Sequence, residues 1–599
     1  MIAPGPCSTL DGRFGTMASA EIRYWEVHMT LDPAQLPREF PRRFVPEDID
    51  VSEWGDLEPL FDDLERRPLN TAADLERMIL DLSELTAVVY EDGAIRRIRM
   101  TCDTSNPEHE KAYLHFVENI EPRLRPRYHR LRQRFVDSPA RARLDHKRYM
   151  VLARSFENAV QIFREENVPL EVEDEKLGQR YQKITGAMTV EFDGKEQTLQ
   201  QMARYLEEPD RDVRRAAWEK VAERRLQDRR ELDELYDQLV RLRERQARNA
   251  GFASFRDYAF RKRERFDYTP DDCARFHRGV EEHIVPLMRA LQKQRKEKLG
   301  VRTLRPWDLV VDPEGRPPLR PFSTADELVR GCREIFARVD PELGRQFGLM
   351  ADLGLLDLES RKGKAPGGYQ STLSERRLPF IFMNAVGRDR DLRTLLHEGG
   401  HAFHTFATRE EPIHAYRHAP LEFAEVASMA MEFLGAPCLE VFYSRADADR
   451  AREDHLLSIV DLFCWIATID AFQHWIYTHP GHTQEERRRE WLALHRRFGG
   501  IEDWTGYEEA LASDWQRQLH LYLHPFYYVE YGIAQLGALG IWLAAQKDRS
   551  GAVRAYRQTL ALGGSRPLPD LFQAAGLPFD FGSGALGRAA AGLRQALWR

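Results

Sequence analysis

Leu392-Arg-Thr-Leu-Leu-His-Glu-Gly-Gly-His-Ala-Phe-His-Thr-Phe406 contains His397-Glu398-x-x-His401, and its reading decides the rest of the chain. On a helix, residues four apart lie about 40° from each other around the axis, so both imidazoles reach one metal ion. Glu398, beside the first, can then hold a water at that metal and take its proton. Leu392, Leu395, Leu396, Phe403 and Phe406 follow the rhythm of a helix buried on one side. Asp389 and Asp391 stand where a cap or a first-turn acid belongs. Gly399 and Gly400 each oppose a helix by about 1 kcal/mol relative to Ala, so they imply close approach by another backbone or a substrate. HExxH also arises by chance, so its surroundings must carry the reading.

A zinc hydrolase takes three protein ligands and leaves one position for water. The nearest cysteine, Cys438, follows Pro437 in a helix break and is a poor candidate for the third. His404, His414, His418 and Glu425 remain. The extended pattern HExxHxxGxxH fails, because His404 stands at its Gly and Ala407 at its last His. His414 and His418 lie in a loop-like stretch between Pro412 and Pro420, at a cleft rim or in solvent. Glu425 has the better case. Pro420 opens an apolar helix on which Glu422, Glu425 and Glu432 fall within about 80° of one another. Carboxylates on one face of such a helix need cations or water. Zinc and the outer N–H groups of its imidazole ligands would supply them.

HEGGHAFH followed by PLEFAEVASMAMEFL resembles the thimet oligopeptidase/oligopeptidase F family of zinc metallopeptidases, and more narrowly its bacterial oligoendopeptidase F-like branch. KAPGGYQSTL and LPFIFMN before the motif, and HLYLHPFYYVEYGIAQLGALGIW near the C-terminus, extend the resemblance to roughly residues 20–580. It implies His397, His401 and Glu425 as zinc ligands, Glu398 as general base, and Glu422 in the shell behind the ligands. Gly368 and Tyr369 match a loop near the substrate cleft. Pro379–Asn384, with Phe382 and Asn384, matches a strand that pairs with bound peptide backbone. His520, Tyr528 and Tyr531 match donors to the transition state. Here the chain departs from the animal thimet pattern, with His524 or Pro525 in place of a further tyrosine. The choice between Tyr528 and Tyr527 rests on a single position. Without the resemblance, this aromatic cluster reads as a packed helix face.

The 599 residues are 42% hydrophobic and 31% charged, the balance of a globular protein rather than a disordered one. A net charge of −8 shows no basic surplus for nucleic acid. No apolar run is long enough for a membrane span. Residues 1–20 read as a disordered leader without a signal-peptide core, with Met17 as a second possible start. Six scattered cysteines without CxxC spacing imply reduced thiols and a cytoplasmic protein.

Apolar residues at threes and fours predict helices over 57–64, 72–91, 109–135 (interrupted near Pro122), 155–166, 174–185, 199–206, 210–248, 270–298 and 325–339, with Asn70 or Thr71 capping the second. Alternation around Asp193-Gly194 predicts a hairpin within 188–199. The Arg-rich segment Arg241–Arg265, mixed with Glu and Asp, reads as a solvated helix face. Five prolines between 300 and 322 read as a loop joining subdomains.

The expected protein is therefore mainly α, large and two-lobed, with a deep channel and a small β-sheet beside the HExxH helix. After the leader, a helical region with the hairpin runs over 21–320 and a catalytic region over 321–599. The expected activity is that of a zinc oligoendopeptidase on short peptides, with one Zn²⁺ per chain and no nucleic-acid or membrane partner. The rival readings are a carboxypeptidase or dipeptidyl carboxypeptidase on the same scaffold, and a peptide-binding scaffold without catalysis.

Overall fold

The computed structural model describes residues 31–598, so the leader expected at 1–20 and Cys7 lie outside the described residues. The described chain is mainly α, with two small sheets. Thr71 caps the helix Ala72–Cys102, in a reciprocal pair with Asp74. The helix expected over 109–135 is interrupted by a π turn at Phe116–Ile120, after which Pro122 stands in the first turn of Glu121–Asp137. The same arrangement recurs at Val280–Ile284, ahead of Val285–Lys298 and Pro286, where the pattern predicts one continuous helix. A proline has no N–H to donate, so the first turn of a restarting helix, where that N–H would have no partner, accommodates Pro122 and Pro286 without loss. The helix expected over 210–248 likewise divides at Asp228.

The hairpin forms where alternation predicts it. Strands β1 (Thr189–Phe192) and β2 (Lys195–Thr198) pair antiparallel, and Asp193 and Gly194 adopt φ of 55° and 68° in the turn. These are the angles a two-residue turn needs to match strand twist. Most buried apolar residues between 45 and 156 form one core with Ile413 and Tyr416, while Ile95, Ile98 and Cys102 join the main core. The main core runs across position 320, joining Leu235 and Phe276 to Phe336, Leu395 and Leu571.

The second sheet has β3 (Leu356–Glu359), β4 (Tyr369–Leu373) and β5 (Leu378–Ala385) in the order β3-β5-β4. β5 is parallel to β3 and antiparallel to β4. This corrects one expectation: Pro379–Asn384 lies in the central strand, with both edges already paired, and has no edge for a peptide. Its unbroken apolar run is the signature of a strand covered on both faces. β3 and β4 are the outer strands, each with one unpaired edge, and β4 is bonded to the motif helix through Gln370 and Thr372.

Two helices carry the motif residues. The motif helix, Asp389–Ala407, has Asp389 and Asp391 in its first turn, and Asp391 accepts the Val386 and Arg388 N–H groups. The ligand helix, Leu421–Gly435, follows across a short loop and packs directly on it. The glycines permit this. A Cβ on Gly400 would stand 2.5 Å from Ala427 O and Ser428 Cα, and one on Gly399 would stand 2.5 Å from the Phe336 ring.

The long helix Arg445–Thr478 is, among the described residues, the one helix long and apolar enough in composition to cross a bilayer. Other helices, Pro270–Gly279 and Tyr528–Lys547 among them, cover its apolar side. Arg241–Arg265 also departs from expectation. Arg243 and Arg265 are buried, and their guanidinium groups bond to the loop that carries the C-terminal aromatic cluster.

Candidate metal centre

The close approach at Gly400 brings Glu425 opposite the two motif histidines. His397 Nε2 and His401 Nε2 lie 3.4 and 3.8 Å from Glu425 Oε2, and the three groups offer ligand atoms within 4.8 Å of one another. Tetrahedral ligands on zinc, with bonds of about 2.0–2.1 Å, stand about 3.3 Å apart, so this donor set fits one ion. Burial opposes the charge on Glu425, but the adjacent imidazoles hold its carboxyl down to about 2. Burial lowers His401 to about 4 and leaves it neutral, as a ligand must be.

The groups behind the ligands differ from expectation. His397 Nδ1 bonds Glu432 Oε1 at 2.8 Å, and the second oxygen of Glu432 lies 3.1 Å from His455 Nε2. Glu422 instead accepts a 2.6 Å bond from the Tyr268 hydroxyl, and burial raises its carboxyl to about 7. Glu432 is seven residues beyond Glu425 and so returns to the same helix face, a signal legible in the sequence. Nothing in the local pattern marks His455. Among the other histidines considered, His414 is buried against Tyr90 and His418, and His404 is buried as well.

Glu398 faces the same space and is 8% exposed. Burial lifts its carboxyl to about 7, and the Gln370 N–H on β4 bonds it. Gln370 and Thr372 also reach Thr405 on the motif helix, fixing the strand beside the carboxylate.

Of the expected substrate contacts, Gly368 sits where a Cβ would be 3.4 Å from Phe382 O. Tyr369 and Phe382 stack on each other at 4.9 Å, with the Tyr369 hydroxyl on Thr101 Oγ1 at 2.6 Å. Phe382 is fully buried, and Asn384 donates to Ala365 O and Gly367 O. Phe382 and Asn384 therefore hold the sheet and its loop.

In the C-terminal cluster the rings of Tyr527 and Tyr531 lie 5.1 Å apart, and burial together with the charge of Glu425 raises both phenols. Tyr528 points elsewhere, toward Trp465 and Gln518. Both rings pack on His520, at 5.5 Å for Tyr527 and 5.0 Å for Tyr528, and of the two it is Tyr527 that feels the charge of Glu425. The backbone explains the difference: Phe526, at φ 62°, turns the chain sharply just before the helix Tyr528–Lys547. Gln473 Oε1 accepts the Phe526 N–H at 2.6 Å, and Arg265 donates to its carbonyl. Such a conformation costs about 1–3 kcal/mol and persists only where its surroundings impose it.

His520 has a definite tautomer. Trp465 Nε1 can only donate, and it donates to Gln518 Oε1 at 2.8 Å, so the Gln518 amide nitrogen faces His520 Nδ1 at 2.6 Å. Nδ1 accepts, and the proton sits on Nε2. Burial, with His524 and Arg263 nearby, lowers this imidazole to about 4 and keeps it neutral.

Residues 204–584 match Peptidase family M3, and residues 48–163 match the Peptidase M3 N-terminal domain. The chromosomal oligoendopeptidase F of Lactococcus lactis subsp. cremoris is 28% identical over 26% of this chain and 25% of that protein. Oligopeptidase PepF of Bacillus subtilis (strain 168) is 26% identical over 39% of this chain and 36% of that protein. The alignments thus span about a quarter to a third of these relatives. Solved structures are matched over nearly their whole length. A candidate oligoendopeptidase F superposes with a TM-score of 0.85 at 32% identity, covering 93% of this chain and 99% of that one. Pz peptidase A, solved with an inhibitor, gives a TM-score of 0.85 at 29% identity over the same shares. With more than half of its residues in a single family match, the chain belongs to peptidase family M3.

Proposed function

We propose that the protein is a cytoplasmic, zinc-dependent oligoendopeptidase that hydrolyses internal bonds of short, unstructured peptides. One observation carries the reading: His397, His401 and Glu425 converge beside a buried Glu398 whose carboxyl is raised to about 7. The family match and the free thiols of the five described cysteines agree with it.

His397, His401 and Glu425 would hold the zinc, which when bound supplies Lewis acidity toward water and a peptide carbonyl. Glu398 takes a proton from the attacking water and delivers it to the leaving amine, and a carboxyl near 7 suits both transfers. The open edge of β4 pairs with the peptide backbone, giving affinity without sequence preference. Tyr527, Tyr531 and the Nε2–H of His520 donate to the oxyanion as the carbonyl becomes tetrahedral.

The test is mass spectrometry of products from a short peptide blocked at both ends, with and without a zinc chelator. Internal fragments that disappear with chelator are expected. Glu398→Gln should retain zinc and lose about 10²–10⁴-fold in kcat, and full activity in that variant would sink the mechanism. Trimming confined to a peptide with a free C-terminus would instead indicate a carboxypeptidase.

A further inference from the structure

A second group of metal-ligating side chains lies outside the cleft. Cys273, Asp470 and His474 offer a thiol, a carboxylate oxygen and an imidazole nitrogen within 4.8 Å of one another. Cys273 is on the helix Pro270–Gly279, and Asp470 and His474 are one turn apart on the long helix. Cys273 and Asp470 are both fully buried. His277, one turn beyond Cys273, bonds Asp470 Oδ2 at 2.8 Å. His474 Nε2 lies 3.4 Å from the same oxygen without forming a hydrogen bond, and Asp470 Oδ1 has no hydrogen-bond partner. Phe260 and Phe526 pack on the His474 ring.

A carboxylate enclosed in this way, with one oxygen unsatisfied, is costly. A protonated imidazole would serve Oδ2 and leave Oδ1 and the thiol without a role. A divalent cation would engage all three groups, and a thiolate with a carboxylate would cancel its charge. Sulfur, imidazole and carboxylate together favour zinc over magnesium or calcium.

We propose that Cys273, Asp470 and His474 bind a second zinc ion, with His277 orienting the carboxylate. The ion pins the helix Pro270–Gly279 to the long helix. It lies beside Gln473, which holds the Phe526 turn, so its role is structural and no reacting atom touches it.

The full-length protein, expressed with zinc and freed of loose metal by gel filtration, would be assayed for metal by plasma mass spectrometry. Two zinc ions per chain are expected, falling to one in His401→Ala and to one in Cys273→Ser. Replacing zinc with cobalt gives an independent readout, because the cleft site contains no sulfur. A thiolate-to-cobalt charge-transfer band should appear, persist in His401→Ala and vanish in Cys273→Ser. One zinc per chain with no such band overturns the proposal, as do two zinc ions in a folded Cys273→Ser protein. If that variant does not fold, the wild-type and His401→Ala stoichiometries and the band decide the matter. Peptidase assays do not enter these readouts, so failure here is distinct from failure of the proposed activity.

Discussion

His397 has a carboxylate near each ring nitrogen, Glu432 at 2.8 Å from Nδ1 and Glu425 at 3.4 Å from Nε2. Burial disfavours its charge, but the two carboxylates outweigh burial and hold the imidazole protonated well above its ordinary range. Coordination through Nε2 requires that proton to leave, while Nδ1–H stays on Glu432. Zinc binding near neutral pH should therefore release about one proton per ion, and affinity should rise with pH. Calorimetry in buffers of different ionisation enthalpy measures the release, and a value of zero would mean a neutral His397. The tyrosines offer a second test at this scale. Tyr527→Phe and Tyr531→Phe should each lower kcat by about 10²–10³-fold, as loss of an oxyanion donor does. Tyr528→Phe, whose hydroxyl faces Trp465 and Gln518, should change kcat little. Equal losses at 527 and 528 in steady-state kinetics would remove the distinction.

The candidate metal site depends on two helices meeting at a glycine. Leu392, Leu395 and Leu396 bury one face of the motif helix, but the distance from His401 to Glu425 depends on how closely the ligand helix can approach. Gly400→Ala would drive a Cβ into the backbone at Ala427 and Ser428, atoms that cannot move without the whole helix. A cost of about 1–3 kcal/mol is expected from such overpacking, together with weaker zinc binding. Gly399→Ala meets a side chain, the Phe336 ring, which can shift, so its effect on zinc affinity should be smaller. Thermal melts and zinc titrations of the two variants separate these outcomes. The strands show the same dependence on neighbours: β5 is too well paired to bind anything further, and β4 acquires an open edge only because it lies outermost.

Across the whole molecule, the C-terminal aromatic cluster is held from a distance by arginines of the N-terminal half. Arg243 bonds Asp174, the Tyr477 hydroxyl and the carbonyls of Leu521 and Tyr522, and Arg265 bonds Glu530 and the Phe526 carbonyl. Removing one partner of a buried charged network leaves the others unpaired, at a cost of about 3–5 kcal/mol. Arg243→Met should thus lower the melting temperature and reduce kcat while zinc content stays at its wild-type value. Loss of zinc together with activity would instead mean that the two halves of the cleft do not separate. The segment around Arg243 reads as a solvated face because its charges alternate in sign. A linear pattern cannot register that Leu521 and Tyr522 come to cover it.

Most of the helices, the hairpin at Asp193-Gly194, and the placing of His397 and His401 on one helix face were legible in the sequence alone, whereas the approach of Glu425 to them is a matter of how two helices pack. Each of the first three depends on local periodicity, turn chemistry or a short spacing along one helix, and the intervening chain hardly enters. Tertiary structure decided which carboxylate backs His397, since Glu422 and Glu432 share a stripe and only packing selects between them. It decided which strands keep an open edge, because pairing order is not written in any one strand. It also set how the Tyr527 and Tyr528 side chains diverge on a backbone bent at Phe526, a bend imposed by Gln473 and Arg265 from remote parts of the chain.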